Sequence, residues 1–463
     1  MASPESQGLR AASVLRLIDE LERGGLDPHA LTIARAGQVL FRGAWQPWSL
    51  EAPSLVYSVS KTFTATAIGL LEADGLIDVE APVDRYLGGD NPYGLTVRHL
   101  LTMNTGHSRD QTAALPFSIP AVLESPRDYA PGSHFAYNSP ASYALSAIAT
   151  AVGGRSLTDL LQERLFGPLG IGRRWWIPLD GIDQGFSGLH LDIDDMTRMG
   201  IALADGGRFG GRQVIPQSFI REATKPWSDT REPDDDGTGG DWSRGYGYQL
   251  WRSRHGYRLD GAYGQFVVVV PETGIVVAYQ GSTTRAENTL EAIWRLIESF
   301  SDAAVDDSPA DAAELAGRAA SLDSWDARSL WEQSADAVPD AASWTLVDDA
   351  DRPDRWELIT DRGRIVVTAD GWQRTVLTAA DASGDNADAT DADAARSIVV
   401  AARGENRGEG STVVQLVVPT SPHRAIVTRK GNELRATWHT TPLWHPSIET
   451  LAVPDRLAHR HAH

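Results

Sequence analysis

Apolar positions at helical spacing open the chain. Val14, Leu17, Ile18 and Leu21 share one face of a segment running from Leu9 to Leu26, and the Gly24-Gly25 pair predicts its end. The run LTIARAGQVLFRGAW predicts a hairpin turned at Ala36-Gly37. A second helical pattern covers Ser58 to Asp74, with Phe63, Ala67, Leu70 and Leu71 on one side and Gly75 past its end. A short helix and turn follow over residues 97 to 106, then an apolar helix over 139 to 154, then another in LTDLLQERLFGPLGI. Between residues 246 and 281 the texture changes. YGYQLWRS, YRLDGAY, QFVVVVPE and GIVVAYQG predict strands, with Pro271-Glu272-Thr273-Gly274 as the clearest turn, and NTLEAIWRLIESF predicts a closing helix. A helix and hairpin first, helices in the middle, and strands plus a helix last describe an α+β domain whose sheet draws on both ends of the segment.

After Phe300 the chain becomes rich in Ala and Asp and poor in aromatics (SDAAVDDSPADAAELAGRAASLD), the composition of a partly helical linker. Further on, WELITD, RIVVTAD, SIVVAAR, TVVQLVVP, HRAIVTRK and ELRATWHT predict short strands. The expected organisation is therefore a first domain over residues 1–300, a linker over 301–339 and a β-rich accessory domain over 340–463. The insert ADASGDNADATDADAA reads as a low-complexity loop.

Composition narrows the chemistry. The chain has 463 residues and a formal charge of −20, with no basic stripe, which argues against nucleic acid or an anionic membrane as partner. Cysteine is absent, so thiolate metal sites, disulfides and cysteine nucleophiles are excluded. No apolar run is long enough to span a bilayer. The start, MASPESQGLRAAS, has no basic-then-apolar pattern of a secretion signal, and a cytoplasmic location is expected. Lysine occurs only at positions 61, 225 and 430, so a lysine within an apolar segment invites a reason.

Ser58-Val59-Ser60-Lys61 supplies one. A serine hydroxyl is a weak nucleophile until its proton is removed. A lysine three residues on lies on the same helix face, and burial would favour its neutral, basic form. A helix N-terminus also favours negative charge developing on the serine oxygen. The plainer reading of the tetrapeptide is an N-capping serine beside an exposed lysine. Elsewhere, Trp175-Trp176 could wall a pocket or simply pack. Asp234, Asp235 and Asp236 form an acidic loop, and His459, His461 and His463 sit in the last five residues; solvated segments are the default for both. The chain contains neither the His-Glu-x-x-His of zinc hydrolases nor the Gly-x-Ser-x-Gly elbow of α/β-hydrolases.

YSVSKTFTATAIGLLEADGLIDVEAPVDRYL, VRHLLTMNTGH, APGSHFAYNSPASYAL and GAYGQF occur in this order. In combination they resemble the penicillin-recognising serine hydrolases, in the class C β-lactamase-like branch that includes family esterases, D-aminopeptidases and 6-aminohexanoate-dimer hydrolases. PESQGL and the YSVSKTFTATAIGL block are most similar to the last of these. The resemblance covers residues 3 to about 300. It implies a β-lactamase/transpeptidase-like fold, an antiparallel sheet flanked by helices with a helical subdomain. It also implies acyl transfer on Ser58, with Lys61 as base and Tyr137 of Tyr137-Asn138-Ser139 relaying protons. Where the family has asparagine, this chain has Ser139. The third motif, Lys-Thr-Gly or His-x-Gly in the family, is matched by Leu259-Asp260-Gly261 and has lost its basic residue; Arg258 and His255 are the nearby substitutes. Gly261 keeps the close approach of backbone to substrate. The N–H groups of Ser58 and Ala262 are the expected oxyanion donors, each typically worth about 3 kcal/mol. Ser139, Tyr263 and Trp176 complete the expected substrate contacts.

The expected activity is hydrolysis of a small ester or amide through an acyl-enzyme, with no metal or cofactor. The expected partner is a small-molecule ester or amide, with a homodimer as the assembly to test for. A β-lactamase, D,D-peptidase or D-aminopeptidase, and a catalytically silent binding protein of the same fold, are the rival readings.

Overall fold

The computed structural model describes residues 2–231, 240–306, 308–326, 336–378, 396–408, 410–444 and 446–458. The Asp234–Asp236 loop, the Ala/Asp-rich insert and the histidines at 459, 461 and 463 lie outside the described residues. The chain divides into two compact units: Met1–Gln7, Thr32–Phe41 and Val56–Tyr279 form one, and Gly8–Leu31, Arg42–Leu55 and Gln280–His463 the other.

In the first unit, helix α2 (Ser60–Ala73) is buried at every position from Ser60 to Leu71. A helix enclosed on all sides must satisfy its polar side chains locally. Its threonines do so by bonding carbonyls: Thr62 Oγ1 donates to Gln249 O at 2.7 Å, Thr64 Oγ1 to Gly185 O at 2.8 Å, and Thr66 Oγ1 to Thr62 O at 2.7 Å. Helix α3 (Ser139–Gly153) packs against α2. It starts at Asn138, whose Oδ1 accepts from Ala141 N at 3.0 Å, and ends at Gly154, which takes the left-handed conformation (φ +67°) that glycine reaches without strain.

The six-stranded sheet confirms the expected assembly from both ends of the segment. Its strands are β1 (Pro28–Arg35), β2 (Gln38–Ala44), β3 (Trp251–Arg252), β4 (Tyr257–Gly261), β5 (Gln265–Val270) and β6 (Ile275–Gly281), in the order β2-β1-β6-β5-β4-β3. Strands β4 and β5 form an antiparallel pair with Asp260 opposite Phe266 and Gly261 opposite Gln265. The run YGYQLWRS, expected as one strand, contributes only Trp251 and Arg252. Gln249 causes the shortfall. It is buried in a positive-φ conformation (+57°), and its Nε2 donates to Leu100 O and Leu101 O, both at 3.0 Å, so the backbone there leaves the ladder.

In the second unit, helix α1 (Ala11–Arg23) packs against the later helices α4 (Ala286–Glu298) and α5 (Pro309–Ala320), the last of which lies in the segment expected to be partly helical. The carboxy-terminal region is sheet-rich, as expected. Strands β7 (Thr345–Asp348), β8 (Arg355–Thr360) and β9 (Gly363–Thr368) form one antiparallel sheet. The other comprises β10 (Gln373–Thr378), β11 (Arg396–Gly408), β12 (Ser411–Val417), β13 (Arg424–Lys430) and β14 (Glu433–Trp438), with β15 (Val453–Pro454) beside β11. Trp356, Leu358 and Ile365 from the first meet Val400, Leu416 and Trp438 from the second in a single core. Strands β7 and β10 were not expected. Each buries one residue, too few to show alternation in sequence.

A charged cluster is also enclosed in this unit. Arg424 Nη2 donates to Asp27 Oδ1, and both residues are fully buried. His29 Nε2 lies 3.5 Å from Asp27 Oδ2, and the His29 ring stacks on Trp48 at 3.4 Å. Among the described residues no helix is long and apolar enough to cross a membrane.

Candidate active site

Ser58, expected to open the helix, lies two residues ahead of the first residue of α2. A 3₁₀ turn, Tyr57–Val59, precedes α2, and Tyr57 adopts φ +47°, a conformation that disfavours any side chain. The strained residue directly before Ser58 fixes the angle at which the hydroxyl leaves the backbone. Tyr263, also at positive φ (+64°), meets Tyr57 edge to face with ring centroids 5.7 Å apart.

Lys61 Nζ lies 2.8 Å from Ser58 Oγ and donates to Phe186 O at 2.8 Å. Its side chain is buried in α2. Loss of hydration lowers the lysine pKa from 10.5 to about 7, against a smaller opposing pull from the Asp260 carboxylate. The segment holding Phe186 is stitched to α2 at three points: Ser60 Oγ accepts from Leu189 N at 3.2 Å, Lys61 binds Phe186 O, and Thr64 binds Gly185 O. The Ser-Val-Ser-Lys-Thr-Phe-Thr run thus carries both the Ser58–Lys61 pair and the hydroxyls that anchor the segment holding its acceptor.

Tyr137 joins the same group. Its phenol is hydrogen-bonded to the Ser58 hydroxyl, and Lys61 Nζ stands 4.8 Å from the centre of its ring. The residue as a whole is 37% exposed, but desolvation of the phenol raises its pKa, with the Asp260 charge adding to the rise and the Ser58 hydrogen bond opposing it. The phenol is therefore neutral, not the phenolate that a protonated lysine would favour. Its ring stacks on Trp251 (5.7 Å, 15°) and meets Tyr246 edge-on. Across the site, Phe186 stacks on Phe117 at 4.2 Å.

The remaining expected residues divide. Gly261 is pressed against the backbone two residues before Ser58: a Cβ there would stand 2.3 Å from Val56 O, so the strand edge tolerates only glycine. Ala262 follows it, half-buried, with its carbonyl accepting from Gln265 Nε2 at 3.3 Å. Ser139 is the half-buried first residue of α3. The neighbouring amide, Asn138, is fully buried, caps α3 and donates to Thr105 Oγ1 at 3.0 Å, so it is committed elsewhere. Trp176 is buried, and its indole donates to Ser187 O at 2.5 Å, bracing the segment that holds Phe186. Arg258, named as a substitute base, is fully buried. Its Nε donates to Asp260 Oδ2 at 2.9 Å and its Nη1 to Ser253 Oγ at 2.9 Å, beneath the Trp242 ring.

Sequence reasoning missed Phe186, whose carbonyl is far from Lys61 in the chain. It also missed the Tyr246–Trp251 wall, although three aromatics within GYGYQLW were a signal.

Comparison with known proteins agrees with this geometry. The beta-lactamase family pattern matches residues 16–299. Esterase/beta-lactamase LipL of Mycobacterium tuberculosis is 34% identical over 137 residues, 28% of this chain and 32% of that protein, so the chain spans about a third of that relative. The 6-aminohexanoate-dimer hydrolase of Paenarthrobacter ureafaciens is 25% identical over 280 residues, 54% of this chain and 71% of that one. The octameric penicillin-binding protein homologue from Pyrococcus abyssi superimposes with a TM-score of 0.51 at 16% identity, over 92% of this chain and 99% of that one, a likeness of fold alone. A family match over more than half of the sequence, on a fold of the β-lactamase/transpeptidase type, means that the chain belongs to the beta-lactamase family.

Proposed function

We propose that the protein is a serine hydrolase that cleaves small esters or amides through an acyl-enzyme on Ser58. The observation that carries this reading is the 2.8 Å approach of a buried, deprotonatable Lys61 amine to the Ser58 hydroxyl. The neutral amine takes the hydroxyl proton as Ser58 Oγ bonds to the substrate carbonyl carbon. The resulting oxyanion is held by the N–H groups of Ser58 and Ala262. The carbon–leaving group bond then breaks, and the leaving alcohol or amine receives its proton through the Tyr137 phenol, which draws on the lysine ammonium. Water attacks the ester, gives its proton to Lys61, and Ser58 is released protonated. Ser139, Tyr263 and Gly261 border the bound acyl group, and Trp176 holds one wall in place.

Relatives named as an esterase/beta-lactamase and as a 6-aminohexanoate-dimer hydrolase support the substrate class. A β-lactamase reading draws on the first of these names, and a chromogenic cephalosporin separates it from ester hydrolysis. The domain boundaries near residues 300 and 340 and a cytoplasmic site of action remain parts of the same proposal.

The test is intact-mass spectrometry of the protein with a panel of p-nitrophenyl esters, alongside Ser58→Ala. The expected result is an acyl adduct and turnover in the parent protein, with both lost in Ser58→Ala. Turnover that survives the substitution overturns the mechanism.

A further inference from the structure

The position that carries a base in the family carries Leu259 here, the next position carries Asp260, and the nearest arginine, Arg258, is sealed behind it. Asp260 lies at the end of β4, directly before Gly261, which is pressed against Val56 O two residues before Ser58. Arg258, two residues back on the same strand face, is 0% exposed. It donates to Asp260 Oδ2, Ser253 Oγ, Arg252 O (3.2 Å) and Asp241 O (3.3 Å), and its guanidinium lies 4.7 Å from the Trp242 ring and 5.9 Å from that of Trp251. Its Nη2 is buried with no hydrogen-bond partner among the described residues. No anion arriving from solvent reaches this guanidinium. The charge that acts on the reactive groups is the carboxylate: the Asp260 field raises the pKa values of Lys61, Tyr137 and Tyr246.

We infer that Asp260 is a specificity-determining residue, which excludes substrates bearing a carboxylate near the scissile bond and admits neutral or cationic ones. This rests on the hydrolase reading above and narrows it to a substrate class. A substrate carboxylate placed beside Gly261 meets a like charge in a poorly solvated pocket, while an ammonium there meets an opposite one. Burial raises the Asp260 pKa, and Arg258 is the buried counter-charge that opposes this rise and favours the carboxylate.

The test uses short-chain p-nitrophenyl esters that differ only at the far end of the acyl chain: carboxylate, methyl ester or trimethylammonium. In the parent protein kcat/KM should fall in the order cationic, neutral, anionic, with the anionic ester at least about tenfold below the neutral one, the scale of one unit charge at short range. Asp260→Asn removes the repulsion and leaves the guanidinium uncompensated, so the anionic ester should gain until it equals or exceeds the neutral one. The double variant Arg258→Gln/Asp260→Asn removes both charges without stranding either, and its three esters should converge. Each variant is first titrated with a fluorophosphonate to count labelled Ser58. A ratio unchanged from the parent in labelled protein overturns the inference. Absence of turnover on the neutral ester in the parent protein is instead the failure of the hydrolase reading itself.

Discussion

Replacing Lys61 by methionine should make the protein more stable and nearly inactive, and the gain in stability should vanish in alkali. The lysine pKa falls from 10.5 in water to about 7 in the fold. Between those values the unfolded chain binds a proton that the folded chain does not, so this group makes stability rise with pH across that window. At about 1.36 kcal/mol per pH unit, the penalty at pH 7 is about 4 kcal/mol relative to strong alkali. Methionine fills a similar volume without charge. Its debit is the Phe186 carbonyl, which loses the donor now at 2.8 Å, a loss of about 1–3 kcal/mol for a buried acceptor. The balance is a gain of about 1–3 kcal/mol at pH 7. Urea unfolding of both proteins at pH 7 and pH 10 measures it, and the difference should move against the variant by about 3 kcal/mol between the two. In parallel, ester hydrolysis by the parent protein should show an acidic limb centred near pH 7, where the amine takes up its proton. A stability difference that does not change with pH would refute the claim that this amine is desolvated and perturbed.

Two further outcomes follow from the packing. Gly261→Ala places a methyl 2.3 Å from Val56 O and 2.9 Å from Gln265 Cβ, so the strand must shift at the proposed oxyanion site; hydrolysis should fall by at least about tenfold with a loss of about 1–3 kcal/mol, read by kcat and thermal unfolding. His29 is fully buried and its pKa is lowered from 6.5 to about 4 by loss of hydration, against the opposing pull of Asp27, with Arg424 and His439 adding small further decreases. Stability from this group is whole above about pH 6.5 and is lost as pH falls through 4, about 3 kcal/mol in all, and His29→Gln should flatten that part of the acid unfolding curve.

The Ser58–Lys61 pair was legible because its geometry is local. A spacing of three residues, across the 3₁₀ turn and the start of α2, brings Ser58 and Lys61 together, and the order of motifs after them carried the family and the fold. Most elements were legible for the same reason. Helix α3 has an Asn cap, a largely apolar run and a glycine stop, and strands β5 and β6 carry the β-branched runs VVVV and IVV on either side of a Pro-Glu-Thr-Gly turn. Strand β3 was misjudged because Gln249, a residue without strong strand preference in either direction, is turned out of the ladder by partners more than a hundred residues away, Leu100 and Leu101.

The electrostatic character of the pocket was not legible, and the reason lies in sheet geometry. In sequence, Arg258 and Asp260 look like two independent charges, either of which could face a substrate. Alternation along β4 puts both on one face, and the fold then decides between them. Trp242, Ser253 and the carbonyls of Asp241 and Arg252 close over the guanidinium, leaving the carboxylate as the charge felt by Lys61. The same carboxylate that repels an anionic substrate also raises the lysine pKa, so selectivity and base strength are set by one residue. Removing its charge should therefore move two observables together: the acidic limb of the pH–rate profile toward lower pH, and the substrate preference toward anions.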